Sequence, residues 1–319
     1  MSAPLGYLTA AGNRAHTILP LTWFTLAISI AVCVVIALCL LGALRRGGLR
    51  RWPVDMRTVP VARGGAGLRW IGIGVALSAI PLLAILVWTM QALAAAGPLR
   101  GRAALTVDVT ARQWWWEVRY DADTPAQTFL TANEIHIPVG RPVRVRLHGG
   151  DVIHSFWVPQ LSGKTDAIPG RTNDTWLQAD QPGRYGGQCS EYCGAQHAHM
   201  GLEVVADPPA AFEAWRTAQL RPAPAPTSAA LMHGAAVVEY RCGACHELRG
   251  TQAGALAGPD LTHLASRARI AAGVLPNNAG ALAEWIQYAQ RVKPGTLMPD
   301  QNLDGADLSD VVAYLGTLR

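Results

Sequence analysis

Two clusters of metal-ligating side chains follow one another along this chain. Cys189-x-Glu191-x-Cys193-x-x-x-His197-x-x-Met200 gathers two thiols, an imidazole and a thioether, with His154 upstream. Soft donors of this kind suit copper. Cys242-Gly-Ala-Cys245-His246 has the Cys-x-x-Cys-His spacing of covalent c-type haem attachment. In that reading Cys242 and Cys245 form the thioethers and His246 binds the iron. Met298, in Gly295-Thr-Leu-Met298-Pro299, is the candidate second axial ligand, and a neutral thioether opposite histidine raises the reduction potential. Both clusters handle single electrons. Neither calls for a nucleophile or a general base.

The spacing of the first cluster says more. Two cysteines on one tight loop can point both sulfurs inward and bridge two metal ions, with His197 capping one ion and His154 the other. Met200 supplies a weak axial thioether, and the Glu191 carbonyl, flanked by both cysteines, is placed as the other weak ligand. A single blue-copper site needs only one cysteine, so the second favours a two-copper centre. Structural zinc would leave Met200 and Glu191 idle. A Cys189–Cys193 disulfide is the bland alternative in an oxidising compartment. His199 reads as a surface or outer residue, and His136 and His148 as ordinary strand residues.

These clusters need elements to carry them. Half of the 319 residues are hydrophobic and 15% are charged. Two uncharged stretches, roughly Leu19–Leu44 and Trp70–Ala96, are each about 25 residues long, enough to span a bilayer as helices. Cys33 and Cys39 fall in the first and Pro81 in the second, where a proline is tolerable. A cleaved signal peptide fits poorly, because the first stretch is long and runs into arginines. The basic pI belongs mainly to the segment between the stretches: Arg45, Arg46, Arg50, Arg51, Arg57, Arg63 and Arg69 are opposed there only by Asp55. This positive-inside pattern puts that loop in the cytoplasm and both termini, with both cofactor domains, on the periplasmic side of a bacterial inner membrane. It also argues against nucleic acid as a partner.

Residues 98–220 alternate apolar and polar side chains between Gly/Pro turns, predicting an all-β sandwich or barrel. Strands are expected over Leu105–Val118, over Asn133–Leu147 with a break at Pro138–Pro142, near Asp151–Pro159 and over Thr172–Leu177. Gln181–Arg184 is expected to turn, and Pro209–Leu220 to be helical. Residues 221–230 form a Pro/Ala linker, extended and semi-rigid. Residues 231–319 then turn helical over Leu231–Tyr240, Ala281–Ala289 and Asp307–Leu318, a size suited to a small haem domain. Met232 is expected to pack within its helix and His263 to be structural or exposed.

Asp151-Val-Ile-His154-Ser-Phe-Trp-Val-Pro159, Gly163-Lys-Thr-Asp-Ala-Ile-Pro-Gly-Arg171 and Cys189–Met200 resemble subunit II of haem–copper cytochrome c oxidases. Gly258–Arg267 and Trp285–Pro299 resemble the cytochrome c domain fused to that subunit in some bacteria, implying an all-α class I cytochrome c fold. The first resemblance implies a two-helix membrane hairpin and a cupredoxin-like β domain. It further implies the binuclear CuA centre on His154, Cys189, Glu191 (carbonyl), Cys193, His197 and Met200, and a magnesium site helped by the Glu191 side chain. Within Gln113-Trp114-Trp115-Trp116, Trp114 matches the electron-input tryptophan, whereas Trp116 reads as core. The implied partners are subunit I, where oxygen is reduced to water, subunit III, and an external donor such as a cytochrome c or the bc complex. One departure concerns Gly74: no carboxylate lies near it, where the family carries a glutamate beside a proton channel. A copper-bearing nitric oxide reductase subunit, a stand-alone membrane electron carrier and a zinc- or disulfide-stabilised adhesion module are the competing readings.

Overall fold

Uniform apolarity makes the first two elements. The computed structural model describes residues 5–47, 66–99, 101–122 and 124–319. Helices α1 (Asn13–Gly47) and α2 (Ala66–Ala95) are apolar on every face and long enough to cross a membrane by length and composition. Phe24 and Trp88 meet between them, tilted by 44° with ring centroids 5.3 Å apart. Residues 16–97 form a unit of their own. The expected basic loop, with Arg50, Arg51, Arg57, Arg63 and Asp55, lies outside the described residues.

The second unit joins residues 1–15 to residues 98–319. Its β domain holds β1 (Leu105–Arg112), β2 (Trp115–Tyr120), β3 (Phe129–Ala132), β4 (Glu134–Pro138), β5 (Val143–Gly149) and β6 (His154–Trp157). It continues with β7 (Thr165–Ala167), β8 (Asn173–Leu177), β9 (Gly183–Cys189) and β10 (Gly201–Asp207). They form two five-stranded sheets in the orders β3-β2-β1-β5-β8 and β4-β10-β9-β6-β7. The alternation in β1 and β5 sends Val107, Val109, Val143, Val145 and Leu147 inward, where they pack with Trp116, Phe156 and Ile137.

Two expectations are corrected here. Leu105–Val118 is two strands, because the chain reverses at Gln113–Trp114 and pairs Arg112 with Trp115. The Gln113 N–H is drawn off the ladder to Asp151 Oδ2, 2.6 Å away. The reversal places Trp114 at a hairpin tip. Strands β4 and β5, adjacent in sequence, go to different sheets. Finally, β9 begins within the segment expected to turn and contains three glycines. A Cβ on Gly187 would lie 2.8 Å from Leu202 Cγ, so glycine permits a close approach to β10.

Helix α3 (Pro209–Gln219) packs Phe212 and Trp215 on the sandwich, and residues 221–227 carry no regular structure. This linker is bound at its start. Arg249 donates to the Gln219 carbonyl, His263 Nε2 donates to the Arg221 carbonyl at 3.0 Å, and Ala223 N–H donates to the Arg249 carbonyl at 2.9 Å. Then come α4 (Ala229–Cys242), the short hairpin β11 (Arg269–Ile270) and β12 (Leu275–Pro276), α5 (Ala279–Gln287), α6 (Ala289–Val292) and α7 (Gly305–Leu315). Ser228, Asn278 and Asp304 cap α4, α5 and α7 by accepting N–H bonds. A Cβ on Gly234 would sit 2.2 Å from the Asp310 carbonyl, so this glycine lets α4 close on α7 around Val238, Val311 and Tyr314. Met232 stands exposed rather than packed, whereas His263 is buried.

Candidate metal centre and haem-binding segment

The loop after β9 folds Cys189 and Cys193 under the start of β6, which carries His154. The two sulfurs lie 3.8 Å apart as separate thiols. His154 Nδ1 is 3.8 Å from Cys189 Sγ, and His197 Nδ1 is 3.6 Å from Cys193 Sγ. Met200 Sδ lies 3.9 Å from Cys193 Sγ, and the Glu191 carbonyl 3.2 Å from Cys189 Sγ. His154, Cys189 and Cys193 form the tightest ligand-type cluster among the described residues, and all three are buried. The six residues singled out in the sequence therefore converge. His154 Nε2 faces Asp151 Oδ1 at 2.8 Å, a carboxylate contact that orients the ring and directs Nδ1 toward the sulfurs. This donor set, two free thiols flanked by two imidazoles, a thioether and a carbonyl, fits a copper pair.

Electrostatics divide the thiols. Burial opposes ionisation of Cys189, but His154 and backbone hydrogen bonds at Ser155 and Glu191 outweigh it and hold the thiol at about 7. Burial, and then the charge on Cys189, push Cys193 up to about 12. The pair thus shares one proton near neutrality, and a cation must displace it. The Glu191 carboxylate is turned away from this cluster, 3.9 Å from Lys164 Nζ.

At the second motif, α4 ends at Cys242, and Cys245 and His246 follow in the turn. A carbonyl can only accept, so His246 Nδ1 donates to the Pro259 carbonyl at 2.7 Å and Nε2 is left free to bind a metal. Burial lowers the His246 pKa and keeps the ring neutral, the ligand form. A Cβ on Gly258 would come within 2.6 Å of His246 Cε1, so glycine leaves the ring its space. Cys242 is pushed up to about 11 by burial. Met298 is half-buried in the loop after α6, where Gln290 Nε2 donates to both the Met298 and Thr296 carbonyls at 2.7 Å. Cys242, Cys245 and the neutral His246 fit an attached haem.

Trp114 lies between the two segments. Its indole N–H donates to the Cys193 carbonyl at 2.9 Å, and the Gln113 side chain donates to the same oxygen at 2.7 Å. Gly194, at φ +110°, lets the Trp114 ring close on that loop. From the other side, Lys293 Nζ donates to the Trp114 carbonyl at 2.6 Å. Gln196 Nε2 donates to the Pro294 carbonyl at 2.9 Å, and the Gly201 N–H to the Ala272 carbonyl at 3.0 Å. Lys293 is 2% exposed, and burial lowers its pKa to about 7. Gln113, Gln196 and Lys293 carry no metal-ligand signature and were missed in the sequence. The Lys293-Pro294-Gly295 run just before Met298 was the available signal. Trp116 is core: it is fully buried, edge-on to His154 and Phe156, with its indole N–H on the Met200 carbonyl.

Residues 122–207 match the family described as cytochrome c oxidase subunit II, periplasmic domain, and residues 231–319 match cytochrome c. The chain is 37% identical over 224 residues to the cytochrome c oxidase subunit 2 of Alkalihalophilus pseudofirmus, covering 70% of this chain and 64% of that protein. It is 32% identical over 232 residues to that of Bacillus sp. (strain PS3), covering 69% and 64% respectively. The chain thus spans 64% of the length of these two relatives. A crystal structure of the periplasmic domain of subunit II of cytochrome oxidase of Bradyrhizobium japonicum is similar at 34% identity and a TM-score of 0.36, over 38% of this chain and 96% of that one. The first matched domain implies CuA copper and the second haem c. Behind two apolar helices, the chain therefore carries a cupredoxin-like cytochrome c oxidase subunit II domain followed by a helical cytochrome c domain.

Proposed function

We propose that this chain is the electron-relaying subunit of a bacterial terminal oxidase, taking single electrons from an external donor to an oxygen-reducing subunit I. Bound at these sites, a copper pair and a covalent haem would each supply reversible one-electron storage. His154, Cys189, Cys193, His197, Met200 and the Glu191 carbonyl are the proposed copper ligands. Cys242, Cys245 and His246, with Met298, are the proposed haem residues. Burial of both thiols excludes water from the copper ligands, and the rigid β9–β10 frame limits their movement between oxidation states. Trp114 is the proposed electron input to the copper side, because it touches both the Cys193 carbonyl and the loop that bears Met298.

The membrane helices would hold both domains on the periplasmic face beside subunit I. Subunit III and a donor such as a cytochrome c or the bc complex complete the proposed assembly. A magnesium ion at the Glu191 carboxylate would need donors from a partner, since the charged group beside it here is Lys164.

The observation that carries this reading is the convergence of two free thiols, two imidazoles and a thioether against Trp114. Metal and haem analysis of the purified full-length protein, with electron spin resonance, tests it. Two coppers sharing one unpaired spin and one covalent haem per chain are expected. A well-loaded preparation that binds only zinc, or a Cys189–Cys193 disulfide, overturns it.

A further inference from the structure

Lys293 is buried where the helical domain meets the tip of the β1–β2 hairpin. A buried ammonium loses its hydration and needs compensation, usually a carboxylate. Among the described residues Lys293 has no carboxylate partner. Its Nζ meets two backbone carbonyls, Trp114 at 2.6 Å and Ala271 at 3.4 Å. One belongs to the tip of the β1–β2 hairpin, the other to the β11–β12 turn of the helical domain. Beside it, Gln196 of the copper loop holds the Pro294 carbonyl. Gly295, at φ +85°, lies against the Trp114 ring, where a Cβ would be 3.6 Å from Cη2. The shorter of the two bonds crosses to the other domain's hairpin, and the longer stays within the helical domain.

We infer that Lys293, assisted by Gln196, is a positioning residue: a clasp that holds the Met298-bearing loop on Trp114 and so fixes the docked arrangement through which the two domains exchange electrons. The inference rests on the relay proposed above. Lys293 touches neither proposed centre and acts through Trp114 and the loop.

Full-length protein carrying Lys293→Met, which keeps the chain length without charge or donors, tests this. Two readouts are taken. The first is amide hydrogen exchange at Gly201, whose N–H donates to Ala272 across the same interface, compared with exchange inside α4 and α7. The second is the rate of electron passage from haem to copper after a light-triggered reduction. Exchange at Gly201 should rise while α4 and α7 stay protected. If the docked population falls to about a tenth, the transfer rate falls about tenfold. Gln196→Ala, which leaves the interior of the helical domain untouched, should move both readouts in the same direction by less.

Wild-type exchange and rate in both variants overturn the clasp. So does a Lys293→Met protein whose α4 and α7 exchange freely while Gln196→Ala behaves as wild type, since Lys293 is then a folding residue. Failure of the relay itself looks different: wild-type protein passes no electron from haem to copper, whatever stands at position 293.

Discussion

At the scale of the residue, the copper loop turns one sequence motif into two unlike thiols. Cys189 is held at about 7 by His154 and backbone hydrogen bonds against the effect of burial, whereas Cys193 rises to about 12 beside it. Metal loading must then release the remaining proton, so uptake of copper by metal-free protein should weaken as pH falls through about 7. Titrating copper at several pH values with a proton-release dye checks this, and a flat affinity between pH 6 and pH 8 contradicts it. The ligand types and their order were legible in the sequence, because soft donors at short spacing can converge on one loop. What orients them was not. Gln113 and Gln196 reach backbone carbonyls 80 and 98 residues away, and Asp151 holds both the nearby His154 and the distant Gln113 N–H, so only the folded hairpin and loop bring these groups together.

At the scale of the element, glycines decide where backbone and ligands approach. Gly258→Ala would put a methyl group 2.6 Å from His246 Cε1 as the ring stands, and the Pro259 carbonyl leaves that ring little freedom to swing away. Expected outcomes are an altered haem absorption band and a lower yield of attached haem, with the helical content of α4 and α7 unchanged. Circular dichroism with a haem-stained gel checks both. The membrane helices, α3, α5 and α7 were readable from apolar runs and helical spacing. Strand β9 was not, since its first residues Gly183 and Arg184 close the Gln181-Pro-Gly-Arg184 run that reads as a turn, and the room Gly187 leaves for Leu202 appears only in the fold. The split of Leu105–Val118 was hidden for a related reason. The Trp run has strand propensity throughout, and a distant Asp151 chooses the point of reversal.

At the scale of the whole second unit, a buried ionic network joins the β domain to the helical domain. His136 lies between Glu134 (2.9 Å) and Asp207 (2.6 Å) and stacks on Trp215, while Arg184 pairs with Glu134 and Glu203. Glu134 also accepts the Ala268 N–H of the helical domain at 3.2 Å. Its burial is outweighed by His136 and Arg184, so its pKa falls from 4.5 to about 2. A depressed carboxylate stabilises above its unfolded value, and that contribution is lost as pH falls from about 4.5 to about 2, amounting to roughly 3 kcal/mol. His136 is raised, burial being outweighed by both carboxylates, so its own contribution is full below 6.5 and fades as pH climbs through the elevated value. Thermal melts of the full-length protein should therefore steepen in acid, and Glu134→Gln should flatten that dependence. Parallel curves for the two proteins contradict it.

The stitched start of the linker has a mechanical consequence. With Gln219, Arg221 and Ala223 fastened to Arg249 and His263, only residues 224–227 remain slack before the Ser228 cap. Arg249 and His263 belong to the helical domain, so these stitches tie the end of α3 directly to it, and a haem held there would not swing out to a distant reductant while they hold. Lengthening residues 224–227 with Gly-Ser repeats should therefore leave turnover unchanged for as long as the stitches hold.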